Sequence, residues 1–395
     1  MTTKLVPSLA RLFEREGGAQ NIILEAAGDM EKLLCQVPGE CKPLHTCGSC
    51  GYDYLAVDGL SLQEVKEVCG CPLVLRAHWN SPVEDAGLLF RKDFIPIGTE
   101  DVWSHSGGEA AEKMGVDGSE STVAVVDTGA MMAHRNFMRN GFEFAGDRVG
   151  SDPSGHGTFT AAAINSQRKL SPFGVYCRGM SKAKVVAVRG LYGFHGSASV
   201  FDVLSAMDTA SAREDVDIVS MSLGGQPLEA PAIDPLARMV KRIIDRGKVA
   251  VVARGNNPSD YMTPGISERA IVVGSWSMTD DAPAWFSREI AGRPRLTWSF
   301  GGGRKQKDLE PNEMVVGPTS LVGSLRRWTK SAGILPRGRY GGFSGSSMST
   351  PVVSGIVALW NSVGLKRRGR KMTHGEVKAL TDAHPNKTVC FKWAI

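Results

Sequence analysis

The sequence predicts an α/β protein: an open, mostly parallel sheet with helices on both faces, preceded by a small α+β unit. Three observations carry this. Thr122–Asp127, Lys184–Arg189, Asp217–Leu223, Lys248–Ala253 and Ala270–Gly274 are nearly continuous runs of Val, Ile and Ala, the pattern of strands buried on both faces. Helix-compatible segments at Ala198–Ala212 and Pro231–Arg246 alternate with them. Before residue 80 the pattern changes to shorter, partly alternating runs in a cysteine-rich stretch.

Taken in order, residues 1–15 have the spacing of a short amphipathic helix. Asn21–Glu25, Tyr52–Asp58 and Pro72–Trp79 are strand candidates. Leu62–Val68 has helical spacing, with Ser61 as N-cap and Glu64 as its capping-box partner. Residues 81–100 are polar and turn-rich, so a linker is expected there. Residues 277–343 read as surface loops with short strands, and 373–383 as a helix that ends before Pro385. The expected domains are 1–80, a linker at 81–100, and 101–395.

Composition narrows the function classes. The chain has 395 residues, 42% of them hydrophobic, which is enough for a sizeable core. The net charge of +5 comes from short local runs such as Arg367-Arg368-Gly369-Arg370-Lys371, with no long basic tail, so no nucleic-acid partner is expected. No apolar stretch of signal-peptide or membrane-spanning length is seen, which predicts no membrane partner and no standard export signal. By sequence the expected place is the cytoplasm, unless a leader precedes this chain or another export route serves it.

The chemistry gathers where strands end. Asp127 closes Thr122-Val-Ala-Val-Val-Asp, and a carboxylate at a buried strand end needs a partner. His156 lies between Gly155 and Gly157, ahead of an Ala-rich run that can form a helix. The glycines are expected to keep backbone bulk away from the ring. A histidine there can take a hydroxyl proton and return it to a leaving amine. Ser347, in Gly345-Ser-Ser-Met-Ser-Thr-Pro351, is placed to open a helix, where unpaired amides favour developing negative charge. Asn256, after Val251-Val-Ala-Arg-Gly255, can donate its amide to an oxyanion, with Asn257 as the nearest competitor.

These segments resemble the subtilisin-like serine proteases. Val123–Gly129, with His134 beyond it, resembles their aspartate motif. Gly155–Thr158 resembles the histidine motif and Gly345–Pro351 the serine motif, in the family's order. Gly255-Asn256 looks like the oxyanion segment, and Ser222-Leu223-Gly224-Gly225 like the strand that lines the substrate cleft. The resemblance implies a parallel-sheet catalytic domain and hydrolysis of peptide or protein substrates through an acyl-enzyme. Asp127, His156 and Ser347 would form the triad, with Asn256 in the oxyanion site. Arg254 and Gly255 would lie at the first specificity pocket, where Arg254 either narrows or charges the pocket or points to solvent.

Some positions depart from the family's pattern. Phe159 replaces a second histidine or a small polar residue, Ser346 a threonine and Ser349 an alanine. Residues 18–80 resemble the family's inhibitory propeptide more faintly, mainly in element order. The N-terminal domain would then be an intramolecular inhibitor and the linker would hold a maturation site. The alternative is an ordinary accessory domain.

No cofactor is required for this chemistry. Six of the eight cysteines lie in the first domain, and Cys47, Cys50, Cys69 and Cys71 are candidate ligands for a structural zinc; free thiols or disulfides are the alternative. Structural calcium has loose candidates in Asp147, Asp152, Asp280 and Asp281. Two rival classes remain in view. A catalytically silent relative acting as a binding or scaffold protein would need a damaged triad. A lipase or esterase would need a Gly-x-Ser-x-Gly elbow, which Ser347 lacks.

Overall fold

The computed structural model describes residues 4–44, 53–85, 94–131, 133–137, 142–145, 151–193, 196–306, 312–320, 339–385 and 387–395. At its centre is an eight-stranded sheet. Its order runs Ala282–Pro283, Ile271–Ser277, Val249–Ala253, Ile218–Met221, Thr122–Asp127, Lys184–Arg189, Phe142–Ala145, with Leu296–Phe300 also paired to Ile271–Ser277. All pairings are parallel except the short Ala282–Pro283. From Thr122–Asp127 the chain passes to the edge strand Phe142–Ala145 and returns to Lys184–Arg189 between the two. It then crosses to Ile218–Met221 and builds outward on the other side. The crossing leaves a crevice at the carboxyl ends of these two central strands, the usual place for function in an open α/β sheet.

Each central strand feeds two cores. Val123 and Val125 face one apolar cluster with the helices His156–Ile164 and Ser346–Arg368. Ala124 and Val126 face the other, with Val200–Ala212 and Pro235–Asp245. Burial on both faces explains why these strands read as continuous apolar runs. Ser346–Arg368 is apolar all round and buried from Ser346 to Gly364. Among the described residues it is the one helix long and apolar enough to cross a membrane, and 94% of that apolar window is buried inside the protein, as in a core helix. It is pinned under the crevice by the Ser354 and Ser220 hydroxyls, 2.9 Å apart.

The N-terminal unit is a four-stranded antiparallel sheet in the order Cys41–Leu44, Asp53–Leu60, Gln20–Ala26, Val74–Trp79. Helix Leu62–Cys69 carries the expected capping box between Ser61 and Glu64. The strands alternate in what they bury. Ile22, Leu24, Leu55 and Val57 face the unit's own helices. Ile23, Tyr54 and Ala56 join the apolar cluster of the large unit. At their edge Glu25, fully buried, accepts from Arg76 Nη1 at 3.2 Å through both oxygens, pairs with Arg238 of the large unit, and lies 3.6 Å from His78 Nε2.

Two regions differ from expectation. The 81–100 stretch holds strands Pro82–Asp85 and Phe94–Gly98, and the helix Thr99–His105 begins at its end. Residues 277–343 contain Leu296–Phe300, buried throughout and part of the main sheet, as well as Asn312–Pro318 and Tyr340–Phe343. Both regions become regular through distant partners: Phe94–Gly98 pairs with Asn312–Pro318.

Burial alone would raise the Glu25 carboxyl. The neighbouring His78 and Arg238 outweigh it and draw the pKa from 4.5 to about 2. A lowered folded-state pKa contributes stability above the unfolded value and loses it as pH falls toward the folded one. We therefore expect denaturant titrations to show about 3 kcal/mol of stability lost between pH 5 and pH 2. This component should be missing in Glu25→Gln. Equal acid sensitivity in both proteins would remove Glu25 from the account.

Candidate active site

Asp127 has no exposed surface. Its Oδ1 accepts from Thr128 N at 2.7 Å and from His156 Nδ1 at 2.8 Å, and its Oδ2 accepts from Thr160 Oγ1 at 3.1 Å. His156 and Thr160 stand four residues apart on one helix, so they share the face that meets the strand end.

Glycine is required on both sides of His156, for a reason other than the ring. Gly155 has φ +81°, and a Cβ there would lie 2.0 Å from Thr319 Oγ1. A Cβ on Gly157 would lie 2.0 Å from the carbonyl oxygen of Gly129. The bulk being avoided is the neighbouring chain, and the close approach brings the helix down onto the strand end.

Sequence reasoning missed the clamp behind this helix. Asp152, fully buried, accepts from Gly155 N, Thr158 N and Thr128 Oγ1 at 2.8 Å and from Thr158 Oγ1 at 2.6 Å. Thr128 Oγ1 in turn accepts from Gly157 N at 2.9 Å. Burial pushes the Asp152 carboxyl above its usual value despite these donors. The signal available in sequence was an aspartate three residues before Gly155, an N-cap spacing.

Ser347 is the second residue of helix Ser346–Arg368 and is fully buried. Its Oγ donates to Ser222 O at 3.0 Å, and Ser222 Oγ donates to Ser347 O at 3.0 Å. Met221 pairs with Val126, so Ser222 follows beside Asp127 across the crevice. The same edge, one strand further, carries Arg254-Gly255-Asn256, because Met221 also pairs with Val252. Asn256 Oδ1 accepts from Ser346 N at 2.9 Å and from Ser346 Oγ at 3.2 Å, while Ser346 Oγ accepts from Gly255 N at 3.0 Å. The carbonyl end of the Asn256 amide is thereby fixed against the serine helix, and its NH2 end is directed away from Ser346.

The expected cleft strand Leu223–Gly224 is present and already has a neighbour. Pro82–Asp85 lies between it and Ser197–Ser199, antiparallel to both, with Leu223 opposite Asp85 and Gly224 opposite Glu84. Gly225 continues to a bridge with Thr263. Gly255 has φ +89° and packs on Met262.

Of the two expectations for Arg254, burial removes the solvent-facing one. The residue has no exposed surface, and its guanidinium is surrounded by backbone carbonyls. His134 is buried as well. It contacts Arg339 O at 3.0 Å and packs edge-on against Tyr340, and burial lowers its pKa to about 4. Phe159 packs against Phe343, with ring centroids 4.7 Å apart.

Cys47, Cys50 and Asp147 lie outside the described residues. Cys69 is buried, with its thiol pushed up by burial, and Cys71 is partly exposed. Asp152 is committed to its four donors, Asp280 pairs with Arg304, and Asp281 accepts from Trp276 Nε1. Among the described residues, no group of three or more His, Cys, Asp or Glu side chains could hold a metal ion.

Comparison with known proteins places the chain in a family. The Subtilase family (peptidase S8) model matches residues 118–384. The chain is 31% identical to "Serine protease AprX" of Bacillus subtilis, over 67% of this chain and 60% of that protein. It is 30% identical to "Major intracellular serine protease" of the same organism, over 67% of this chain and 76% of that protein. It is 26% identical to the human "Membrane-bound transcription factor site-1 protease", over 65% of this chain and 22% of that protein. The chain thus spans 60% of the length of the first of these relatives.

Asp152→Ala strands several buried donors, each worth about 1–3 kcal/mol when left unpaired. Denaturant unfolding is expected to show a loss of at least ~3 kcal/mol, with a smaller loss for Asp152→Asn, which keeps an acceptor oxygen. Unfolding of Asp152→Ala at the wild-type midpoint would mean that the clamp contributes nothing.

Proposed function

Because the chain belongs to the subtilase family of subtilisin-like serine proteases, we propose that it is a serine endopeptidase made as a self-inhibited precursor, with Asp127, His156 and Ser347 as its triad. The observation that carries the reading is the fully buried Asp127–His156 pair at 2.8 Å, on the same crevice edge as Ser347.

In the proposed cycle Ser347 Oγ turns from its resting contact with Ser222 O and attacks the scissile carbonyl carbon. Its proton passes to His156 Nε2, while Asp127 holds Nδ1 and favours the charged ring. The oxyanion receives hydrogen bonds from the Asn256 amide and from Ser347 N. When the C–N bond breaks, His156 delivers the proton to the departing amine and an acyl-Ser347 ester remains. Water, deprotonated by His156, attacks the ester; the bond to Ser347 Oγ then breaks, His156 returns the proton to that oxygen, and the carboxylic acid departs.

The position of Pro82–Asp85 supports the inhibitory part of the reading. An extended substrate adds as a strand to exposed edges, and this segment occupies the edges formed by Ser197–Ser199 and Leu223–Gly224. It runs antiparallel to Leu223–Gly224, toward Ser222, whose backbone carbonyl accepts from Ser347 Oγ. The N-terminal unit is additionally held by the Ile23–Tyr54–Ala56 face and by Glu25–Arg238.

Two outcomes are expected. Purified wild type should be cut within residues 86–93 and take a serine-reactive phosphonate, as read by intact mass and N-terminal sequencing, while Ser347→Ala does neither. Labelling without any cut would retain the enzyme and remove the self-processing. Neither event in folded wild type would indicate a silent relative. Val83, buried on the occupied strand, provides the second test. A carboxylate there is strongly disfavoured, so Val83→Asp should release the N-terminal fragment on gel filtration under conditions in which the wild-type fragment co-elutes. Co-elution of both would place the inhibitory contact elsewhere.

A further inference from the structure

Arg254 is among the largest fully buried side chains of the protein. A guanidinium taken out of water costs several kcal/mol unless its donors are satisfied. Among the described residues no carboxylate lies within ion-pair distance of it; the nearby Asp260 is engaged by Arg293 at 2.6 Å. Backbone meets the charge at Nε and Nη1, while Nη2 is buried without a hydrogen-bond partner among the described residues. Nε donates to Arg288 O at 2.9 Å, and Nη1 approaches Asn257 O at 2.7 Å, Phe286 O at 2.9 Å and Gly255 O at 3.4 Å. The face of Tyr261 covers the guanidinium, with the ring centroid 4.6 Å away.

The identity of these carbonyls matters. Gly255 O and Asn257 O belong to the residues on either side of Asn256, and Phe286 O and Arg288 O belong to a separate loop. Arg254 therefore ties the backbone flanking Asn256 to a second segment of the protein. Its own backbone adds to this, donating to Val273 O and accepting from Met262 N, both at 2.9 Å. Ser346 holds the Asn256 amide from the opposite side. The amide is thus fixed at the backbone by a buried cation and at its carbonyl end by the serine helix.

We propose that Arg254 is a positioning residue of the oxyanion site, its forked guanidinium fixing the peptides around Asn256 so that the amide meets the developing negative charge without reorganisation. The proposal rests on the reading of Asn256 as the oxyanion donor. A lysine cannot substitute, since an ammonium is a point donor and cannot reproduce the planar fork. Misplacement of a catalytic group by about 1 Å can cost on the order of a hundredfold in rate.

The test is a double-mutant cycle on the full chain as it matures itself, read as kcat and KM on a peptide anilide. Asn256→Ala should lower kcat by roughly 100- to 1000-fold. Arg254→Met and Arg254→Lys should each lower it about 10- to 100-fold, with KM changed by no more than about threefold. Combining Arg254→Met with Asn256→Ala should cost no more than about twofold beyond Asn256→Ala alone, since Arg254 acts through that amide. Thermal unfolding is recorded for every variant, and Arg254→Lys, which keeps the charge and stem, carries the test if Arg254→Met does not fold. Multiplying losses in the double variant, or an unchanged kcat in folded Arg254→Met or Arg254→Lys, would overturn the positioning role and leave the oxyanion reading intact. An unchanged kcat in Asn256→Ala would overturn both.

Discussion

A carboxyl group carried to zero exposure at the end of a central strand must find all its donors within the protein, and much of the architecture around Asp127 follows from that demand. One donor comes free with the turn, through Thr128 N. The other two, His156 Nδ1 and Thr160 Oγ1, require a helix to present one particular face at hydrogen-bond distance. That approach is close enough to exclude a Cβ at Gly157. It is held by Asp152, which gathers the loop before the helix and the turn after the strand into one network. The Asp127–His156 geometry is therefore one consequence of satisfying a buried acid, and a histidine is the donor in that set that can also move a proton.

Apolar packing gives this network its precision. Helices His156–Ile164 and Ser346–Arg368 share one core on one face of the sheet. Small residues allow them close approach: a Cβ on Gly355 would lie 2.5 Å from Met180, so the serine helix is seated at a depth no larger residue would permit. Close-packed interiors resist displacement. The long apolar helix thus fixes Ser347 at one end by what is buried along its entire length, and the Ser220–Ser354 contact sets its rotation.

What the sequence made legible follows the same physics. Thr122–Asp127 and Lys184–Arg189 form at the bounds their composition predicts, because burial on both faces leaves an unbroken apolar run. The triad candidates stood out because Asp127 ends such a strand and His156 and Ser347 lie in the first turn of a helix. Pro82–Asp85 was not readable as a strand: four residues carry no period, and they become regular only between the two edges that flank them. Leu296–Phe300 sits between polar turns, and its pairing with Ile271–Ser277 is equally nonlocal. Arg254 was misread because arginine is rarely buried without a carboxylate partner. Four carbonyls converging from two loops leave no mark in a linear sequence. Asp152 was no more than a loose cation candidate in the sequence, and its role in gathering backbone amides and threonine hydroxyls was not legible there.

The two-sided burial of the N-terminal sheet bears on how a precursor of the proposed kind would be controlled. Strand Pro82–Asp85 is held by backbone hydrogen bonds to both edges, and cutting the chain beyond it removes none of them. Cleavage and release are then separate events with separate energetics. Cleavage depends on the crevice edge, where Asp127, Ser347 and Asn256 are already positioned. Release depends on a surface some way from the chemistry, where Ile23, Tyr54 and Ala56 are buried and Glu25 joins Arg238. Since breaking a buried ion pair leaves a charge to be resolvated, the Glu25–Arg238 contact makes separation of the units sensitive to acidity and to ionic strength once water reaches it. The peptide-bond chemistry would depend on acidity for a separate reason, since His156 must be neutral to take the Ser347 proton.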